Sequence, residues 1–109
     1  MKITQIPFGI TDWNSVGAVR KHGETGWAEW KTCQFGEIRV RMLEYSPGHK
    51  ADHWCVKGHI LFRLEGELVT ELEDGRGFVL RPGMSYQVAD DAEPRRSHTD
   101  VGAKLCGVD

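Results

Sequence analysis

Three side chains that can bind a metal or react as a nucleophile lie within seven residues of one another. The stretch "DHWCVKGH" contains His53, Cys55 and His59. His53 and Cys55 are two positions apart, so in an extended segment they point to the same side, about 6.6 Å apart along the strand. Gly58 permits a bend that brings His59 back over the same point. Imidazole nitrogen and thiolate sulfur at this spacing suit a transition metal rather than magnesium or calcium.

The same residues have other interpretations. Cysteine is among the residue types most often buried, and a histidine in a strand often only forms a hydrogen bond. A thiol beside histidine or arginine charge can instead be redox-responsive, because such charge lowers its pKa. If the three residues do bind a metal, one coordination position stays open, as it does in catalytic sites. The spacing alone leaves a metal site, a packed thiol and a reactive Cys55 as alternatives.

The composition is that of one globular domain. The chain has 109 residues, of which 39% are hydrophobic, and a net charge of -2 without blocks of like charge. The length is typical of a single domain, and the charge pattern argues against a nucleic-acid surface. The apolar runs are far shorter than the ~20 residues of a membrane helix, and the first residues lack the pattern of a secretory signal. We therefore expect one cytosolic domain over residues 1–109, without nucleic-acid or membrane partners.

Short alternating segments separated by turn residues predict an all-β fold. The expected strands are at 28–35, 38–45, 59–66, 67–73, 78–83, 85–90 and 104–109. Residues 1–26 are expected to form an N-terminal strand or loop arm, in which 11–26 is a loop or a helical turn, and about 27–109 the barrel. A closed barrel is favoured because the free edges of a small sheet invite aggregation.

The segment "IRVRMLEY" has two different faces. Ile38, Val40 and Met42 share one face, whereas Arg39 and Arg41 share the other, because side chains alternate along a strand. One face is expected to pack on a core and the other to meet solvent or a partner.

Two longer segments resemble the motifs of the cupin superfamily. The first cupin motif has a glycine, then His-x-His, a glutamate and a further glycine, and the residues from Gly48 to Gly66 follow its spacing. Cys55 stands at the second histidine and His59 at the glutamate. The segment "LRPGMSYQVADDAEPRRSHT" resembles the second motif. The words "DHWC", "KGH", "LEGEL" and "PGMSYQVAD" are similar to those of the small single-domain group called DHCW-motif cupins.

The resemblance implies a fold, a cofactor and an assembly. The fold is a conical antiparallel β-barrel, also called a double-stranded β-helix or jelly roll. The implied cofactor is a divalent transition metal, zinc, iron, nickel or copper, on His53, Cys55 and His59, and the implied assembly is a homodimer. The second motif normally ends in a histidine ligand, but Arg95 stands there. A charged guanidinium has no free lone pair for a metal, so a fourth ligand must come from elsewhere, and His98 serves only if a bulge shifts the register.

Arginine, tyrosine and the metal candidates together predict a small-molecule site. Counting by twos from His59 puts Arg63 on the inner face, where it needs an acidic partner or a ligand's carboxylate or phosphate. The internal candidates for that partner are Glu44, Glu71 and Glu73. Tyr86 and Gln87 follow the Pro-Gly turn, and one of them is expected to face the pocket. If Arg63 and Arg95 both lie near His53, the site favours a small anion, and we take Arg63, Tyr86 and Arg95 as substrate-binding candidates.

Three functions fit these residues. The first is a metal-dependent oxygenase, isomerase or lyase acting on a small molecule, which would use the open metal position. The second is a metal-free binding or sensor module for a small anion. The third is a redox-responsive protein that uses Cys55. The residues assign no catalytic group, and barrels of this kind host many unrelated activities.

Overall fold

A computed structural model describes residues 3–109, which are built almost entirely from antiparallel strands. The first two residues of the expected N-terminal arm lie outside this range. The strands are β1 (Val19–His22), β2 (Trp27–Phe35), β3 (Ile38–Tyr45), β4 (His59–Gly66), β5 (Leu68–Leu72), β6 (Gly77–Leu80), β7 (Ser85–Val88), β8 (Arg95–His98) and β9 (Ala103–Val108). The predicted all-β class is confirmed. No helix within residues 3–109 has the length and apolar character of a membrane span.

The strands form two sheets around one core. The larger sheet has the order β1-β2-β3-β9-β4-β7 and the smaller one the order β6-β5-β8. All neighbouring strands are antiparallel. Leucines from both sheets meet in the core, which consists of Leu61, Leu68, Leu80, Ala103 and Leu105. This arrangement is the expected jelly roll.

Two strands lie where the sequence did not predict them. β1 falls in the segment 11–26, which also contains the expected helical turn as a 3-10 turn at Trp13–Ser15. β1 is an exposed edge strand, so it shows no apolar alternation, and its pairing with β2 rather than its own pattern makes it extended. β8 carries the polar sequence Arg-Arg-Ser-His and is held by β5.

The arginine-bearing face of β3 is the inner one at its centre. Leu43 and Tyr45 pack against the core, and Arg41 shares their face because it is separated from Leu43 by one residue. Val40 and Met42 therefore lie on the outer face of the sheet. This orientation brings a positive charge into the barrel and leaves apolar side chains outside.

Gly66 ends β4 in a conformation that side-chain-bearing residues rarely adopt. Its φ is 75°, and a Cβ atom built on it would collide with the carbonyl oxygen of Gly102. The next residue, Glu67, donates its backbone N–H to that same oxygen at 3.2 Å. The last glycine of the first motif is thus needed for close contact between two backbone segments.

We predict that Gly66→Ala lowers the unfolding free energy by at least about 2 kcal/mol, because it combines a positive φ with a backbone clash. The matched control is Gly17→Ala, since nothing lies within 4 Å of a Cβ at Gly17 and its φ is not positive. Urea unfolding of both variants measures the difference. Equal stabilities of the two variants would contradict the role assigned to Gly66.

Candidate functional site

A cavity of about 380 Å³ lies inside the barrel. Its volume is within the usual range of small-molecule sites. His53, Cys55, His59, Tyr86 and Arg95 all line it. The structure therefore brings together five of the six residues that the sequence singled out.

The space exists partly because β9 carries a glycine at its centre. Gly107 pairs with Arg41 on one side and with Leu61 on the other. A Cβ at Gly107 would already lie 3.4 Å from a methyl of Leu61 and 3.5 Å from a methyl of Leu43. A larger side chain at this position would fill the cavity from its wall.

Arg95 is a buried cation in the cavity wall, with only 2% of its surface exposed. The backbone N–H of Arg95 donates to the carbonyl oxygen of Cys55 at 3.0 Å, and the backbone N–H of Cys55 donates to the carbonyl oxygen of Arg95 at 2.6 Å. The guanidinium Nη1 donates to the carbonyl oxygens of Glu93 at 3.1 Å and Cys55 at 3.4 Å, and Nη2 donates to that of Lys57. Arg95 thus holds the segment that carries the predicted ligands.

The charge of Arg95 is not neutralised by an acid. Among residues 3–109 no carboxylate oxygen lies within 4.0 Å of its guanidinium, and Nε has no hydrogen-bond partner. Backbone carbonyls satisfy most of its donors but carry no net charge. A buried charge without a counterion is unfavourable, and an anion close by would stabilise it.

His59 is held neutral beside this cation. Its Nε2 is 2.8 Å from the Tyr86 hydroxyl and 3.3 Å from Arg95 Nη2. Burial, and then the positive charges of Arg95 and Arg41, lower the pKa of His59 from the usual 6.5 to about 4. Because a guanidinium can only donate, Nε2 offers its lone pair to Arg95 and Tyr86.

His53 is exposed and pairs with its neighbour. Its Nδ1 lies 2.8 Å from Asp52 Oδ1, and 63% of its side chain is exposed. The hydrogen bond to His53 lowers the pKa of Asp52, and Lys21 Nζ adds a positive charge 3.6 Å from the same oxygen. Adjacent side chains of an extended strand point to opposite faces, but the bend at residues 52–53 lets those of Asp52 and His53 meet.

The described residues do not fit a metal ion as they are arranged. Within residues 3–109 no group of three His, Cys, Asp or Glu side chains could hold one. The lone pair of His59 faces the Arg95 guanidinium, and a metal cation at that point would be repelled. His98 lines a separate, smaller cavity of about 200 Å³ and does not join His53, Cys55 and His59.

Arg63 does not line the barrel cavity. Its Nη1 donates to the carbonyl oxygen of Gly66, and in the described chain it forms no ion pair with Glu44, Glu71 or Glu73. The register between β4 and β9 shifts between Arg63 and Glu65. This bulge directs Arg63 to the turn that follows rather than to His53, so the expected meeting of Arg63 and Arg95 does not occur.

Arg41 and Asp109 are cavity residues that the sequence analysis did not single out. Asp109 accepts two hydrogen bonds from Arg39, at 2.9 and 2.7 Å, and these lower its pKa. Arg41 and Lys57 are each 4.0 Å from the same carboxylate. Arg41 is therefore only loosely paired. The alternation along β3 groups Arg41 with Leu43 and Tyr45, but it does not say which face of the sheet is inside.

The cavity is electrically positive overall. Its charged lining residues in the described chain are the cations Lys21, Arg41, Arg95 and Arg96 and the carboxylates Asp52 and Asp109. Asp52 already forms an ion pair with Lys21, and Asp109 forms one with Arg39. The cavity can thus accept a negative charge without first displacing an internal acid from Arg95.

Comparison with solved structures identifies the fold. An RmlC-like cupin from Shewanella frigidimarina matches with a TM-score of 0.74 and 15% identity, over 96% of this chain and 92% of that chain. A sugar phosphate isomerase of the cupin superfamily from Silicibacter pomeroyi matches with a TM-score of 0.72 and 16% identity, over 92% and 74%. Fe(II) HppE matches with a TM-score of 0.74 and 16% identity, over 93% of this chain but only 59% of its own.

The chain is thus an antiparallel jelly-roll protein, and its fold is the cupin fold. This confirms the fold that the two sequence motifs implied. No family model and no curated protein matches the sequence. At these identities the solved structures show the fold alone, so the site's chemistry must be inferred from the residues of this chain.

We predict that His59 makes the folded protein sensitive to acid. Because its folded pKa is lowered to about 4, its stabilising contribution is complete above about pH 6.5 and is lost as the pH falls through 4. Between pH 7 and pH 4 the wild type should lose roughly 1–3 kcal/mol more unfolding free energy than His59→Gln. Urea unfolding at several pH values tests this, and carboxylates common to both proteins cancel. Identical pH dependence of the two proteins would refute the prediction.

Proposed function

We propose that the barrel cavity binds a small organic acid. The observation that carries the proposal is Arg95, a guanidinium that is buried beside the cavity with no carboxylate partner in the described chain. An anion in the cavity would supply the missing counter-charge. The apolar walls formed by Leu43 and Leu61 favour an acid with a carbon skeleton over an inorganic ion.

Arg41 is the residue that we expect to contact the acid. Most donors of Arg95 are engaged by backbone carbonyls, so Arg95 acts mainly through its charge. Arg41 has only a loose pair with Asp109, at 4.0 Å, and can turn its planar donors toward a carboxylate. Tyr86 forms a hydrogen bond with His59 and lines the cavity beside it. The proposed anion site therefore combines direct contact from Arg41 with the field of Arg95.

Calorimetric titration tests the anion site. Phenylacetate and hexanoate should bind, whereas their neutral amides should bind much more weakly. Arg41→Gln should weaken binding of both acids about 10- to 100-fold, as expected for loss of a charge-assisted hydrogen bond. The matched control is Arg81→Gln, since Arg81 is exposed and outside the barrel cavity. Equal binding of acids and amides would refute the proposal.

The metal-dependent and redox alternatives give different results in the same titration. If zinc, iron, nickel or copper on His53, Cys55 and His59 were needed for binding, EDTA treatment would abolish it, whereas the arginine site should be unaffected. An oxygenase, isomerase or lyase activity stays a prediction from the resemblance, as does a cytosolic location. If the site depended on a redox-responsive Cys55, oxidation would change the affinity and Cys55→Ser would remove that change.

We also propose that two copies of the chain pair through the outer face of the larger sheet. β4 exposes Ile60, Phe62 and Leu64 on this face, each by 44–48%. The outer side chains of the neighbouring strands are also apolar, among them Met42 and Val108. Contiguous exposed apolar side chains of this kind are typical of a surface that binds another protein. A second copy fits it, because a two-fold interface needs a surface that is complementary to itself, and an apolar face meets that need.

Light scattering after size-exclusion chromatography tests the pairing. The wild type should have about twice the chain mass of 12.3 kDa, and Phe62→Glu should be monomeric because it buries a charge in the interface. Phe78→Glu is the matched control, since Phe78 is exposed on β6 of the smaller sheet. A monomeric wild type, or dissociation by Phe78→Glu alone, would count against this interface.

A further inference from the structure

The inner face of β3 presents two polar groups that are separated by an apolar one. Arg41, Leu43 and Tyr45 alternate along the strand and all line the cavity. At the usual rise of a strand, the Cα atoms of Arg41 and Tyr45 are roughly 13 Å apart. Any molecule that fills the cavity along β3 therefore meets a cation, an apolar wall and a phenol in that order.

The hydroxyl of Tyr45 is free to bind a ligand. The hydroxyl of Tyr86 is bonded to His59, whereas in the described part of the chain the Tyr45 hydroxyl has no hydrogen-bond partner. Burial raises the pKa of Tyr45, so the phenol stays neutral and can both donate and accept. The buried ring of His49 packs on Tyr45 with ring centroids 4.5 Å apart and fixes its position.

Between Arg41 and Tyr45, the described cavity-lining residues of β3 and β2 are mainly apolar. Leu43 pairs directly with Trp30 of β2, and both side chains line the cavity. The next inner position of β2 is Ala28, which faces Tyr45 in the register and leaves room beside the phenol because its side chain is small. The arrangement matches a molecule with polar groups only at its two ends.

We propose that the preferred ligands are organic acids that carry a hydroxyl or carbonyl group at the end opposite the carboxylate. Arg41 holds the carboxylate and Tyr45 bonds to the distal group. Leu43 and Trp30 enclose the apolar spacer, which can be an aromatic ring or a short alkyl chain. This inference rests on the proposed anion site and adds the class of acid that fits it.

Calorimetry with two matched ligand pairs tests the inference. The wild type should bind 4-hydroxyphenylacetate about 2- to 10-fold more tightly than phenylacetate, as one neutral hydrogen bond allows. The same preference should hold for 6-hydroxyhexanoate over hexanoate. Tyr45→Phe should reduce the ratio within each pair to about one without weakening the simple acids. Arg41→Gln should weaken all four acids and leave the ratios unchanged.

A second variant keeps the test decisive if Tyr45→Phe does not fold. His49→Leu keeps the Tyr45 hydroxyl but removes the ring that positions it, so the preference should fall while the simple acids still bind. Equal binding within each pair by the wild type overturns the inference, as does a preference that persists in Tyr45→Phe. Those results leave the anion site intact. If no acid binds to the wild type, the proposed function fails and this inference fails with it.

Discussion

The buried guanidinium of Arg95 is the group on which the site depends. It connects β8 with the segment between β3 and β4 through backbone carbonyls of Cys55 and Lys57, and it lies beside His59. These carbonyl oxygens accept hydrogen bonds from the guanidinium, but they carry no net charge and do not neutralise that of Arg95. The same charge helps to keep His59 neutral. One side chain thus holds the loop and, together with burial, keeps its neighbour neutral, and its charge is the basis of the proposed anion site.

A metal ligand at this position would give a different site. A histidine would offer a lone pair toward Cys55 and His59, whereas arginine offers only N–H donors and a permanent charge. His59 then accepts hydrogen bonds from Arg95 and Tyr86 instead of coordinating an ion. We propose that this exchange reverses the polarity at the centre of the barrel, so that it binds an anion instead of a cation.

Much of the fold and part of the site could be predicted from the sequence. Alternating strands and turn glycines predicted the all-β class, and the two motifs placed His53, Cys55, His59, Tyr86 and Arg95 on one cavity. Local patterns failed where distant pairing decides the structure. β1 and β8 lack an apolar pattern of their own and are extended because β2 and β5 hold them.

Side-chain directions were harder to predict than strands. The sequence shows that Arg41 and Met42 lie on opposite faces of β3, but both faces of the sheet carry apolar residues, so alternation alone does not say which is inside. Alternation from His59 predicted that Arg63 faces the cavity. The bulge between Arg63 and Glu65 instead directs the Arg63 side chain to the carbonyl oxygen of Gly66. The direction of these side chains depends on how all the strands of the barrel pair, which a local pattern does not contain.

The most direct test of this reversal is the metal content of the wild-type protein, purified without a histidine tag and dialysed separately against zinc, iron, nickel and copper salts. Elemental analysis should then find far less than one equivalent of each metal, because the charge of Arg95 disfavours a second cation beside His59. Close to one equivalent of any of them, lost on substitution of His59 or Cys55, would contradict the assignment of this cavity to anions.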